Sequence, residues 1–124
     1  MENIIFEARG HMPYIEFNTD GTLKMEGRAI PEDVNRMFDP LIEFVTNLEV
    51  QTAVFDINLE YFNTATSKKL LDLMKHLEAN NKIGEVSIIW RYEEGDEDSV
   101  EMAEIYEECL MRTRFTYQEY AEAA

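Results

Sequence analysis

The chain has 124 residues, 26 of them acidic and 11 basic, for a net charge of −15. Such a surface repels phosphate backbones and anionic bilayers, which argues against direct binding to nucleic acid or to a membrane surface. With 45% hydrophobic and 30% charged residues, the composition is that of one globular domain rather than a disordered chain, long enough to bury roughly two thirds of its unfolded surface. Cys109 is the only cysteine, so no internal disulfide can form, and a reducing compartment suits it. MENIIFEARGH lacks a basic region followed by a long apolar run, so no secretory leader is expected. No stretch approaches a membrane span, and a cytoplasmic domain is the expectation.

In chain order, Ile4, Ile5 and Phe6 suit either a short edge strand or a loose arm, with residues 1–10 and 118–124 outside a core of about 13–117. Tyr14–Phe17 and Leu23–Glu26 read as strands joined by an Asp20-Gly21 hairpin. Pro31-Glu32-Asp33 suits the first turn of a helix. That helix would bury Val34, Met37, Phe38, Leu41, Val45 and Leu48, with Pro40 causing a kink or a fresh start capped by Asp39. Arg28, one of few cations, suits a surface ion pair better than a phosphate site.

The central stretch runs from Ala53 to Leu77. Ala53, Phe55, Ile57 and Leu59 alternate with Val54, Asp56, Asn58 and Glu60, the period of a strand that runs out near Tyr61-Phe62. Asn63-Thr64-Ala65-Thr66-Ser67 comes next, and then Leu70, Leu71, Met74 and Leu77 recur at helical spacing. Hydroxyls thus gather where a helix starts, beside unpaired backbone N–H groups. A cap made by Asn63, Thr64 or Thr66 is the ordinary explanation. A phosphorylation site is the sharper one, since phosphate would meet the positive helix end and the nearby Lys68.

Asn80–Gly84 reads as a turn, and Val86, Ile88 and Trp90 as inward residues of a strand. Ile89 on the alternate side suggests a strand covered on both faces, and Trp90 a core or rim aromatic. The acidic run from Glu93 to Glu108 does not have calcium-loop spacing, so a solvated helix face is expected and no metal. Its other face, with Met102, Ile105, Tyr106 and Cys109, should pack, making Cys109 a small core residue. Phe115-Thr116-Tyr117 suits a last short strand. The sum is an α/β fold: one small domain with a mixed sheet of about four to six strands and about three helices. A right-handed crossover would set the strands ending at Tyr61 and Tyr92 side by side, with Thr64 at their carboxyl ends. Catalytic signals are thin. No nucleophile elbow or glycine-rich phosphate loop is present, His11 and His76 are isolated, and Asp56 with Glu60 is the only carboxylate pair near the turn. No catalytic residue and no cofactor are expected.

Leu59–Glu78, Val86–Tyr92 and Glu26–Asp33, in their order and spacing, resemble the SiaC family of regulatory phosphoproteins, from about Pro13 to about Phe115. The resemblance implies a fold similar to STAS-domain anti-sigma-factor antagonists. It also implies a partner switch. A SiaB-like Ser/Thr protein kinase would phosphorylate the threonine after the asparagine, here Thr64, and a SiaA-like PP2C-type phosphatase would remove the phosphate. The unphosphorylated form would bind an effector such as a diguanylate cyclase, linking the chain to cyclic-di-GMP signalling and biofilm. Thr66 and Ser67 are the alternative acceptors, because Ala65-Thr66 stands where the family commonly has two serines. Ala103 and Arg114 are further departures, and bear on partner identity rather than on fold. Tyr61, Phe62, Asn63, Thr64 and Lys68 are the expected docking residues. The phosphate should leave the body of the domain in place and act on the docked partner. A small acidic enzyme and a phosphate-insensitive structural adaptor are the competing classes.

Overall fold

The computed structural model describes residues 1–122, so the expected loose tail of 118–124 lies in part, at 123–124, outside the described residues. The elements run β1 (Ile4–Phe6), β2 (Tyr14–Phe17), β3 (Thr22–Ala29), α1 (Val34–Asn47), β4 (Val50–Phe62), α2 (Thr64–Ala79), β5 (Ile83–Glu93), α3 (Glu97–Glu108) and β6 (Arg114–Tyr120). Ile4–Phe6 forms the edge strand, paired antiparallel with β2. The last strand extends three residues beyond Tyr117, in parallel register with β5 as far as Tyr120 opposite Glu93.

The six strands lie in sequence order, β1-β2-β3-β4-β5-β6. β1 to β3 form an antiparallel meander, and β3 to β6 are mutually parallel. Each helix therefore crosses over between adjacent parallel strands. Right-handed crossovers that always advance in one direction put every helix on the same face of the sheet. Burial agrees with that geometry. Ile15, Phe17, Leu23, Met25, Phe55, Ile57, Ile88 and Trp90 are sealed between sheet and helices, and Phe17 packs edge-on against both Phe44 and Phe55.

The opposite face has no covering element among the described residues, which corrects the expectation of a strand enclosed on two sides. Ile89 is half-buried there among polar neighbours. Arg91 donates to Asp56 through Nε at 2.8 Å and Nη2 at 3.0 Å, and its Nη1 donates to Gln118 at 2.8 Å. That fork ties β4, β5 and β6 together across the open face, with a planar guanidinium matched to a carboxylate.

α1 starts later than its sequence suggests. Pro31 and Glu32 precede the helix, and the Asp33 side chain caps it by accepting from the Arg36 N–H at 3.1 Å. Pro40 neither ends nor restarts it, and Val34–Asn47 is one helix. The missing N–H at Pro40 costs one backbone bond, and burial of Phe38, Leu41, Phe44 and Val45 on the same helix offsets it. In the β2–β3 hairpin, Gly21 has φ +97, and a Cβ there would collide with the Thr52 carbonyl, so glycine is required twice over.

Two polar knots close the ends. Buried Asn80 donates to the carbonyls of Val45 (2.8 Å) and Leu48 (2.7 Å), satisfying the C-terminus of α1, and accepts from the Lys82 N–H at 2.9 Å. Glu78 accepts from the N–H groups of Met111, Arg112 and Thr113 and from the Thr113 hydroxyl. Arg112 in turn donates to the carbonyls of Glu78, Asn80 and Gly84. The segment before β6 is thus fixed by side chains rather than by a core. Partial burial opposes the Glu78 charge, but those donors outweigh it and hold its carboxyl below the ordinary range.

Asn80→Ala should lower unfolding stability by about 2–3 kcal/mol, because it leaves two buried carbonyls unpaired; a denaturant midpoint unchanged from wild type would contradict this role. Glu78 should give an acid-side signature. Its depressed carboxyl contributes stability above the unfolded value, and this is lost as pH falls through the folded one. The melting temperature of wild type should therefore drop more steeply than that of Glu78→Gln between about pH 5 and about pH 3, and parallel curves would refute the assignment.

Candidate functional site

The turn from β4 into α2 is shaped by a bulge. Inward residues on β4 alternate through Ala53, Phe55, Ile57 and Leu59, and unbroken alternation would send Tyr61 into the core. Instead the register with β3 steps from Gly27↔Leu59 to Arg28↔Tyr61, leaving Glu60 unmatched. Gly27 sits at the step with φ +112, a conformation open to glycine. The extra residue reverses the phase of the last two positions of the strand. Tyr61 is turned outward, 56% exposed, and Phe62 turns inward to meet Trp90 edge-on at 6.3 Å. Exposed Arg28 lies beside Tyr61 on the neighbouring strand, and it makes no ion pair among the described residues, contrary to the expected surface pair.

Asn63 is the cap. Its backbone is extended, and its side chain accepts from the Thr66 N–H at 2.9 Å, while its carbonyl accepts from the Ser67 N–H at 2.9 Å. The N–H groups of Thr64 and Ala65 precede the first intrahelical bonds and point out of the helix end. Thr64 and Thr66 are therefore helix residues, and of the three candidate caps Asn63 does the capping.

The three hydroxyls in the turn differ sharply. Thr64 is exposed at the first helical position. Thr66 has no exposed surface, and its Oγ1 is buried with no hydrogen-bond partner among the described residues. Ser67 is half-buried, and its hydroxyl donates to the Thr64 carbonyl at 3.1 Å. Lys68 is exposed one turn on, free of ion pairs among the described residues. Phe62 is half-buried.

Asp56 and Glu60 do not form a carboxylate pair. Asp56 is held in the fork with Arg91, and the bulge carries Glu60 out to solvent. Among the described residues no cluster of three or more His, Cys, Asp or Glu could hold a metal. A cleft of about 500 Å³ lies between the N-terminal arm and the start of α1, lined by Phe6, Met12, Pro31 and Met37 and rimmed by His11 and Arg36. It does not include the Thr64 turn.

On α3 the expectation for Cys109 is overturned: it is exposed, at the helix C-cap, and Ile105 is 53% exposed. The buried residues are Ser99, Ala103 and Tyr106. Ser99 accepts from the Trp90 indole N–H at 2.9 Å, and Tyr106 donates to the Ser67 carbonyl at 2.9 Å, directly behind the Thr64 turn. Sequence reading missed both contacts. The available signal was the Ser99, Ala103, Tyr106 spacing, masked by the flanking acids.

Residues 6–120 match the family model described as SiaC family regulatory phosphoprotein. The chain belongs to the SiaC family. It is 30% identical to an uncharacterised protein of Pseudomonas aeruginosa (strain UCBPP-PA14) over 92 residues, 71% of this chain and 73% of that one. The crystal structure of apo-SiaC from Pseudomonas aeruginosa superposes with a TM-score of 0.80 at 26% identity, covering 95% of this chain and 99% of that one. SiaC from the same organism, in complex with the diguanylate cyclase SiaD that it activates, gives a TM-score of 0.83 at 25% identity, with coverage of 94% and 99%. No helix among the described residues is long and apolar enough to cross a membrane.

The bulge makes Tyr61 and Phe62 energetically opposite. Phe62→Ala should cost about 2 kcal/mol and shift the emission of Trp90, while Tyr61→Ala should change stability by less than about 0.5 kcal/mol. Equal losses from the two variants in chemical denaturation would mean that Tyr61 packs inward after all.

Proposed function

We propose that this SiaC-family chain is a non-enzymatic, cytoplasmic partner switch in which Thr64 is the phosphoacceptor. A SiaB-like kinase adds the phosphate and a SiaA-like PP2C-type phosphatase removes it. The unphosphorylated form engages a diguanylate cyclase through Tyr61, Phe62, Asn63, Thr64 and Lys68. The observation that carries this reading is the contrast among the three hydroxyls: Thr64 is exposed at the helix end, Thr66 is sealed, and Ser67 is half-covered and engaged. The relative that complexes with SiaD has the same fold over nearly its whole length, which supports the choice of effector.

The chemistry of the switch comes from the surroundings of Thr64. Phosphate adds about −1.5 to −2 charges and three acceptor oxygens. At Thr64 it meets the free N–H groups and positive end of α2, with Lys68 a turn away and Glu60 opposing. It is therefore tolerated in the free protein. In a docked interface the same group must shed water beside exposed Tyr61 and half-buried Phe62, at a cost of several kcal/mol. Each 1.4 kcal/mol is about tenfold in affinity, so such a cost releases the partner.

The test pairs phosphopeptide mapping of the chain from its own cells with binding to its diguanylate cyclase. Phosphate should map to Thr64 and disappear in Thr64→Ala. Binding should survive Thr64→Ala, Thr66→Val and Ser67→Ala and fall at least about tenfold in Thr64→Glu. Phosphate on Ser67 would move the site. Equal binding by every variant would make the chain a phosphate-insensitive adaptor and sink the switch.

A further inference from the structure

α3 is the helix held least by the core. Of its 12 residues only Ser99, Ala103 and Tyr106 are buried; Ser99 and Tyr106 each make one polar contact with the body, and the Tyr106 ring packs edge-on against Trp90 at 5.8 Å. α1 and α2 each bury five. The rest of α3 works against itself. Glu97, Asp98, Glu101, Glu104, Glu107 and Glu108 include no compensating cation, so neighbours one turn apart repel. Glu107 and Glu108 also stand at the negative end of the helix dipole. On one flank a cleft of about 420 Å³ opens between α3 and the ends of β5 and β6, walled by Asp96, Glu97, Glu101, Glu104 and Glu119.

The contact with α2 can break cleanly. The Ser67 carbonyl already accepts the i+4 amide within α2, so losing Tyr106 orphans no acceptor on that helix. Burial pushes the Tyr106 hydroxyl up to about 12, which keeps it a hydrogen-bond donor across the physiological range. Ser67 is bonded through its own hydroxyl to the Thr64 carbonyl, so the acceptor of this contact belongs to the turn that carries Thr64.

We propose that α3 opens from an otherwise intact body as a unit, and that the Tyr106–Ser67 hydrogen bond couples this opening to the Thr64 turn. Its regulatory meaning rests on Thr64 being the modified residue; the mechanical coupling does not. A charged group at Thr64 shifts the first turn of α2, where the Thr64 carbonyl holds the Ser67 hydroxyl, and so weakens the bond from Tyr106 to the Ser67 carbonyl and favours the open form.

Amide hydrogen exchange on the full chain tests this, in wild type, Tyr106→Phe, Thr64→Glu and the double variant. Amides of Glu97–Glu108 should exchange at least about tenfold faster than the cores of α1 and α2. Tyr106→Phe should speed them about fivefold more and leave α1 and α2 unchanged. Thr64→Glu should speed them about two- to threefold, and this effect should vanish in the Tyr106→Phe background. Should Tyr106→Phe loosen the whole fold, Ser99→Ala serves instead: it frees α3 without touching α2, so the Thr64→Glu effect should persist in it. α3 exchanging in step with α1 and α2 would overturn the proposal, as would effects of Thr64→Glu and Tyr106→Phe that simply multiply. Absence of phosphate on Thr64 in chain taken from cells would sink the phosphoacceptor assignment alone and leave the exchange result to decide the coupling.

Discussion

The handedness of the crossovers governs this molecule. Three strand–helix–strand units advance across the sheet without reversing, so the three helices have one face on which to pack. This single constraint sets the position of the core, the bare second face, and the gathering of the helix starts at the carboxyl ends of the parallel strands. α2 then begins beside the ends of β3 and β5, on rigid strands and away from the loops of the meander. A turn placed this way can be exposed and still be well ordered.

Most of that frame is legible in the sequence, because it rests on periods. The alternation in Ala53–Leu59 and Val86–Trp90 and the three-to-four spacing of Leu70, Met74 and Leu77 carry the element types and their inward faces. The features that escape the reading break a period or depend on a distant partner. The bulge at Glu60 inserts one residue and reverses the facing of Tyr61 and Phe62, which alternation cannot anticipate. Ile89 looks like a second core residue, because an apolar side chain on a strand does not reveal whether anything lies above it. Cys109 falls in step with Tyr106, yet the helix ends there and the last turn clears the sheet. The Asn63 cap was readable as one of three candidates; only geometry separates them.

The hydroxyl cluster shows why composition alone does not choose a modified residue. Three side chains of nearly the same chemistry lie within four positions, and burial gives each a different role. Thr66 is fully buried and leaves its oxygen without a partner among the described residues, a cost that a helix start with a good cap can bear. Ser67 stitches the first turn to itself and to α3. The Thr64 side chain has no such duty among the described residues. A residue whose side chain holds nothing in place can change charge while the cap and the helix that carry it stay formed.

The uncovered sheet face also bears on how copies of this protein meet. A bare sheet invites a second sheet to stack on it at a spacing of about 10 Å, burying both faces. Here the centre of that face is the Arg91 fork to Asp56 and Gln118, with Glu16 and the Lys24–Glu26 pair towards the meander. Stacking would strip water from ions whose partners are already chosen, a desolvation cost that opposes it. The same fork that joins three strands within one molecule thus opposes the fusion of two molecules face to face.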